Sequence, residues 1–411
     1  MQERILIIED NRALSKILTK KMEKNLNFEI IQAYTYAQAK EILDENDDFF
    51  ITLCDLNLPD APNGEIVDFI LAYGLPVIVL TGSVDEDLRE TMLKKDIVDY
   101  VYKGNIEDVN YIFSLIKRLS KNRDIKVMAV DDSMTIRHEI KKMLKSQMFK
   151  VLMAAHGEEA LNYLDANKDV KLVLTDFNMP VIDGVELTNK IREKYDKNKM
   201  IVIAMTGNSD HLISAKFLKI GANDFLNKPF SKEELVCRIN NALDAKEQLE
   251  TLSDMAHKDF MTKAYNRRYF FEEIKSFYKS SSPFCIAMID IDKFKKINDT
   301  YGYDIGDSVI ISLANILKRD TKGGDLVARF GGEEFCVALR DVDKNQAIGF
   351  FAKLRKTISD FTLKVDKHSI NFTVSVGLSF NDGSTIKEMI KQADEALFKA
   401  KENGRNRVEI V

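Results

Sequence analysis

IKVMAVDDSMTIRHEIKKMLKSQMFKVLMAA (125–155) decides the fold of the first half of the chain. It opens on a short apolar run that ends in two acids, continues with apolar residues three and four apart, and returns to an apolar run. The outer pieces have the length and composition of buried strands, and the middle has helical spacing. Strand, helix and strand in that order make the βαβ unit of a parallel, doubly wound sheet.

The same rhythm occurs twice, with a period near 122 to 125 residues. RILIIED (4–10), FEIIQAY (28–34), FFITLCD (49–55), PVIVLTG (76–82) and DYVYKG (99–104) form the first copy; IKVMAVDD (125–132), FKVLMAA (149–155), KLVLTD (171–176), MIVIAMTG (200–207) and DFLNKPF (224–230) form the second. In such sheets the carboxyl ends of the strands border the ligand crevice. The residues there are Glu9, Asp10, Asp55, Thr81 and Lys103 in copy one, and Asp131, Asp132, Asp176, Thr206 and Lys228 in copy two. Acid pair to central Asp is 45 and 44 residues, Asp to Thr 26 and 30, and Thr to Lys 22 in both; the insertion falls around EKYDKNK. Three acids at one sheet edge repel unless a hard, oxygen-seeking cation such as Mg²⁺ sits among them. The central Asp can then act as a carboxylate nucleophile toward phosphorus, with the Thr hydroxyl and Lys ammonium holding phosphate oxygens.

Both copies resemble response-regulator receiver domains, most specifically in DFNMPVIDG (176–184) and NKPF (227–230). The resemblance implies flavodoxin-like folds, phosphoacceptors at Asp55 and Asp176, one Mg²⁺ per receiver held by the acids above, and switch aromatics at Tyr100 and Phe225. It also implies a cognate histidine kinase or phosphotransfer protein as phosphodonor. Copy one departs from the pattern with Lys103-Gly104 in place of Lys-Pro and with Glu9 in place of an Asp, and both copies keep the groups that the chemistry requires. Asp176 is expected to be the main switch, because its copy runs directly into the next segment.

That segment, SKEELVCRINNALDAKEQLETLSDMAHKD from Ser231, has no Pro or Gly and carries Leu235, Ile239, Ala242, Leu243, Leu249, Leu252 and Met255. The spacing predicts the last receiver helix continuing as a stalk, whose apolar stripe a second copy of the chain could cover.

Beyond Asp259 the pattern changes to α+β: an apolar strand in CIAMIDIDKF (285–294), a helix near 306–320, a hairpin in DLVARFGGEEFCVAL (325–339), a strand at 371–380 and a last helix at 387–404. Two glycines between apolar runs mark the hairpin turn. Asp290 and Asp292 lie on a strand that can place them beside Glu333 and Glu334, so that acids from two strands meet around metal ions.

This part resembles GGDEF diguanylate cyclases of the nucleotidyl-cyclase-like fold across about 259–411, through Gly331-Gly332-Glu333-Glu334-Phe335, DIDKFKKIND (290–299), YGYDIGD (301–307), TVSVG (373–377), ADEALFKAK (393–401) and NGRN (403–406). The entry motif DFMTKAYNRR (259–268) is looser. The resemblance implies two Mg²⁺ between Asp290, the Ile291 carbonyl, Glu333 and Glu334. Glu333 would be the base for a 3′-hydroxyl, and Gly332 would let the backbone approach the nucleotide. Amides near Phe294 and Lys295, with Lys401 and Arg405, would hold phosphates; Asn298 and Asp307 would read guanine. The implied reaction joins two GTP into cyclic di-GMP and so needs a homodimer. Family members often carry an inhibitory Arg-x-x-Asp site, which here is Lys322-Gly323-Gly324-Asp325, so product inhibition is expected to be weak. The competing reading is a silent scaffold or cyclic di-GMP-binding module.

The expected domains are 1–120 and 121–245 (receivers), 246–258 (stalk) and 259–411 (GGDEF). With 411 residues, 45% hydrophobic and 30% charged, several folded domains are expected and low-complexity disorder is not. A net charge of -5 argues against nucleic-acid binding. The absence of an apolar run of membrane length argues against insertion, and the scattered Cys54, Cys237, Cys285 and Cys336 suggest a reducing, cytoplasmic setting.

Overall fold

A computed structural model describes residues 2–82, 85–104, 106–207, 211–279 and 282–410. It divides into two compact units, Met1–Glu247 and Gln248–Val411.

The first unit holds both copies. Copy one contributes β1 (Arg4–Ile8), β2 (Glu29–Ala33), β3 (Ile51–Asp55), β4 (Val77–Thr81) and β5 (Asp99–Tyr102); copy two contributes β6 (Lys126–Val130), β7 (Lys150–Ala154), β8 (Val170–Asp176), β9 (Ile201–Thr206) and β10 (Asp224–Asn227). The sheet orders β2-β1-β3-β4-β5 and β7-β6-β8-β9-β10 are the same doubly wound order, and every pairing is parallel. Each sheet has an apolar core on both faces, so its central strands are buried along most of their length, as continuous apolar runs require. Immediately after each acid pair, Asn11 and Ser133 cap the helices Arg12–Asn25 and Met134–Ser146. A cap there ends the strand and opens the helix, which fixes the acids at the sheet's carboxyl edge.

One helix, Lys232–His257, runs through the boundary expected at residue 245. Leu235, Ile239 and Leu243 are buried, whereas Leu249, Leu252 and Met255 are 48%, 62% and 74% exposed. The apolar stripe thus serves a receiver core in its first half and is open in its second. No helix among the described residues is long and apolar enough to cross a membrane.

The second unit is built on β11 (Tyr265–Asn266), β12 (Phe284–Ile291), β13 (Leu326–Gly331), β14 (Glu334–Arg340), β15 (Thr362–Val365), β16 (His368–Asn371), β17 (Val374–Phe380) and β18 (Val408–Ile410). The main sheet has the order β11-β13-β14-β12-β17-β18, with β15 and β16 forming a separate hairpin. Tyr303–Asp320 and Lys344–Asp360 pack on one face, Arg267–Lys279 and Ile386–Glu402 on the other. Of the stretch 371–380, expected as one strand, Asn371 ends β16 and 374–380 form β17, with the buried Phe372 between them.

Candidate active site and phosphorylation sites

The signature occupies the turn of the β13–β14 hairpin. Gly331 pairs with Glu334, so Gly332 and Glu333 make a two-residue turn, with Gly332 at φ 40°. A positive φ at that position is costly for any other residue type. Arg329 holds the turn from below, donating to the Gly332 carbonyl from Nε at 2.9 Å and from its terminal nitrogen at 2.7 Å, while its other nitrogen pairs with Asp259 at 3.1 Å. The sequence marked the entry motif and the signature separately; nothing in it showed that Arg329 ties them.

β12 lies beside β14, and the register sets Asp290 opposite Glu334. Lys401, from the helix Ile386–Glu402, reaches Asp290 at 2.9 Å. Burial pushes the Asp290 carboxyl up to about 6, with Glu333 and Glu334 adding to the rise and Lys401 opposing it. A buried carboxylate that resists ionisation, with Glu334 opposite in register and Glu333 on the turn, offers oxygen donors that a hard divalent cation would satisfy, so these residues fit the implied Mg²⁺, though their oxygens are not gathered within the 4.8 Å seen at Glu9, Asp10 and Asp55.

Asp292 does not join the metal-binding acids. It looked like a partner of Asp290 in the metal site, but its carboxylate accepts from Thr373 Oγ1 and Ser375 Oγ at 2.6 Å and from the Asn406 N–H at 3.0 Å. It therefore anchors the loop that carries Arg405. That loop has Gly404, Arg405 and Asn406 all at positive φ, and Arg355 braces it through the Asn406 carbonyl and side chain.

Phe294 and Lys295 open the helix Phe294–Tyr301, whose N-terminus has no side-chain cap. Uncapped amides at a helix N-terminus suit an anion. On the same helix, Asn298 has a buried Oδ1 without a partner. A Cβ on Gly306 would lie 1.8 Å from that oxygen, so a glycine there is what leaves the amide its place. Asp307, the next residue, is exposed.

Asp325 accepts from the Lys322 and Arg340 amides at 2.8 and 3.0 Å, and both Lys322 and Asp325 border a cavity of about 830 Å³ together with Arg319 and Lys353. Arg340 also lines it, but its guanidinium stacks on Phe277 and donates to Ser276.

In copy one, oxygens of Glu9, Asp10 and Asp55 lie within 4.8 Å of one another. Lys103 donates to Asp55 at 2.6 Å and to both oxygens of Glu9 at 2.9 and 3.0 Å. Glu9 is fully buried, and desolvation raises its pKa against the pull of Lys103. In copy two Lys228 bonds both Asp131 and Asp176, with Thr206 buried at the end of the neighbouring strand, as Thr81 is in copy one. Asp132 is exposed, and the three acids of copy two are not gathered as closely as those of copy one. Burial raises the pKa of Asp176, opposed by Lys228. Both acid clusters fit a divalent cation, the first more tightly. Tyr100 has a buried hydroxyl without a partner; Phe225 packs near Phe177 and Ile220 under the Arg238 guanidinium.

Family models for the response regulator receiver domain match residues 5–111 and 127–240, and the model described as diguanylate cyclase, GGDEF domain, matches 256–407. The chain belongs to the receiver–GGDEF response regulators. Among its relatives is Response regulator PleD of Caulobacter vibrioides, 33% identical over 260 residues, which are 60% of this chain and 57% of that protein. Diguanylate cyclase A of Treponema denticola is 39% identical over 166 residues, 38% of this chain and 45% of that protein. The match thus spans about half the length of these curated relatives. A crystal structure of a two-component system response regulator/GGDEF domain protein is 39% identical with a TM-score of 0.56, covering 60% of this chain and all of that one. The two parallel five-stranded sheets and the mixed sheet of this receiver–GGDEF chain are those of its family.

Proposed function

We propose that the chain is a phosphorylation-regulated diguanylate cyclase that condenses two GTP into cyclic di-GMP and two pyrophosphates. The observation that carries this reading is the register of β12 on β14. It sets Asp290 against Glu334 beside the signature turn, with Lys401 on Asp290 and the pKa of Asp290 raised to about 6. Receivers at 1–120 and 121–245, a stalk at 246–258 and the cyclase at 259–411 are the functional parts.

Asp290, the Ile291 carbonyl, Glu333 and Glu334 would hold two Mg²⁺, which neutralise triphosphate charge and ease ionisation of the attacking hydroxyl. The amides of Phe294 and Lys295, with Lys401 and Arg405, hold phosphates; Asn298 and Asp307 hold the guanine edge. Asp307 accepts from guanine N1–H and its 2-amino group, which adenine cannot offer, so GTP is the substrate. Glu333 takes the proton of the 3′-hydroxyl. The freed oxygen forms a bond to the α-phosphorus of the facing GTP, and the α–β bridging bond breaks to release pyrophosphate. Each domain holds one GTP, so a homodimer is required, and the exposed Leu249, Leu252 and Met255 stripe supports association along the stalk.

Asp55 and Asp176 accept phosphoryl groups from a cognate histidine kinase or phosphotransfer protein, with one Mg²⁺ per receiver. Cyclic di-GMP binds weakly at Lys322 and Asp325. The reduced thiols suit a cytoplasmic site of action. Incubation with GTP and Mg²⁺, followed by mass spectrometry, tests the reading: cyclic di-GMP is expected from GTP and no dinucleotide from ATP alone. A phosphorylated protein that yields no dinucleotide would leave the scaffold reading in its place.

A further inference from the structure

The helix Phe294–Tyr301 borders two separate spaces. One of its faces carries Phe294 and Asn298 and meets Gly306 on the helix Tyr303–Asp320. On another face, Lys293, Lys296 and Thr300 follow one another at three- and four-residue spacing, and they line a cavity of about 630 Å³. The loop that carries Gly404, Arg405 and Asn406 also lines it.

This cavity is basic. Lys293, Lys296 and Arg405 are exposed, and none of their side chains has an ion-pair or hydrogen-bond partner among the described residues. The acid beside them, Asp292, is only 7% exposed, and its oxygens are occupied by Thr373, Ser375 and the Asn406 amide. Three unpaired cations around one concave space, with the nearest carboxylate already bonded, make a site for an anion of several charges. The cations are also held in place by the fold. Arg405 and Asn406 have φ of 65° and 45°, a conformation that such residues keep where the surroundings enforce it, and Asp292 and Arg355 both bond Asn406. Lys293, at φ 56°, directly precedes the uncapped amides of Phe294 and Lys295. The cavity therefore adjoins the phosphate end of the proposed nucleotide site, and Arg405 belongs to both.

We propose that this cavity is the release subsite for the pyrophosphate product, with Lys293 and Lys296 as its binding residues. When the α–β bridging bond of GTP breaks, its electron pair stays on the bridging oxygen, so pyrophosphate leaves with one more negative charge than its two phosphoryl groups carried in GTP. The added charge draws the freed anion from the metal-binding acids toward the unpaired ammonium groups, along the path that Arg405 spans. GTP does not enter the cavity, because its guanine is held on the other face of the helix, at Asn298. The inference rests on the reading of the chain as a diguanylate cyclase.

The test uses the full chain with Mg²⁺ and follows pyrophosphate in two ways: calorimetric titration into the resting protein, and inhibition of cyclase initial rates. Lys293→Ala/Lys296→Ala should weaken both by about ten-fold or more, as expected for lost charge-assisted bonds, while KM for GTP changes by less than about two-fold. Lys293→Arg/Lys296→Arg should bind pyrophosphate like the wild type, and orthophosphate should bind the wild type about ten-fold more weakly than pyrophosphate does. A KM for GTP that rises in step with the pyrophosphate constants would overturn the proposal, because the lysines would then hold the substrate's own triphosphate. Pyrophosphate binding unchanged in the alanine variant, or matched by orthophosphate, would overturn it as well. Lysine-dependent pyrophosphate binding by a protein that makes no cyclic di-GMP would keep the anion subsite and sink the cyclase reading.

Discussion

Gly306→Ala separates the proposed guanine site from the fold. The added Cβ would lie 1.8 Å from Asn298 Oδ1 and 3.3 Å from the ring of Phe294. The near contact is the end of a side chain, which can swing away at an off-rotamer cost of about 0.5–1.5 kcal/mol. Against that, alanine in a helix is favoured over glycine by about 1 kcal/mol. The two terms offset each other, so thermal unfolding should shift little. Function should not escape if Asn298 reads guanine as proposed, because its amide would leave the buried position it now holds. A lost base contact of this kind is worth about 1–3 kcal/mol, or roughly five- to hundred-fold in KM for GTP. Asn298→Ala should give a similar KM, and the double variant should be no worse than either alone, because both remove one interaction. Steady-state rates against GTP concentration and a melting curve decide the matter. A KM for Gly306→Ala equal to that of the wild type would refute the assignment of Asn298. An unfolded variant would refute the offset.

Arg329→Ala removes two bonds to Gly332 and leaves Asp259 half of a largely buried pair, so the second unit should lose about 2–4 kcal/mol; kcat should fall more steeply than stability, and an unchanged kcat would mean that the turn is held by other contacts. With Asp290 raised to about 6, a proton competes with the metal below that pH, so turnover should fall as pH drops through 6, and higher Mg²⁺ should move the midpoint lower. A raised carboxyl pKa also means that the metal-free fold is stabilised as pH falls from about 6 toward 4, which melting curves in chelator can check. Cyclic di-GMP should inhibit weakly in initial-rate assays, Lys322→Arg should tighten inhibition because a guanidinium can make two parallel donor contacts, and Asp325→Ala should abolish it; tight inhibition of the wild type would contradict this.

The repeat and the parallel, doubly wound sheets were legible because apolar runs and helical spacing recur in order in both copies. The hairpin turn followed from two glycines between apolar runs, whereas the nearness of Asp290 to Glu334 came from the family resemblance, because β12 and β14 are distant in sequence. Asp292 was misjudged because two carboxylates on one strand look alike in sequence, and only the fold shows that Thr373, Ser375 and Asn406 come from 81 to 114 residues away to occupy one of them. Arg329 escaped because one of its partners is the backbone carbonyl of Gly332, which leaves no signature in sequence, and the other is the Asp259 carboxylate 70 residues away. The stalk's split stripe needed the receiver core that buries its first half.

The central claim is that Asp290, Glu333 and Glu334 form one metal-dependent site for joining two GTP. Its most direct test is product analysis of beryllofluoride-treated wild type and Glu334→Ala, each incubated with GTP and Mg²⁺ and resolved by mass spectrometry. The wild type should yield cyclic di-GMP with pyrophosphate, and Glu334→Ala should melt like the wild type and yield none. Cyclic di-GMP formed by Glu334→Ala at the wild-type rate would contradict the account.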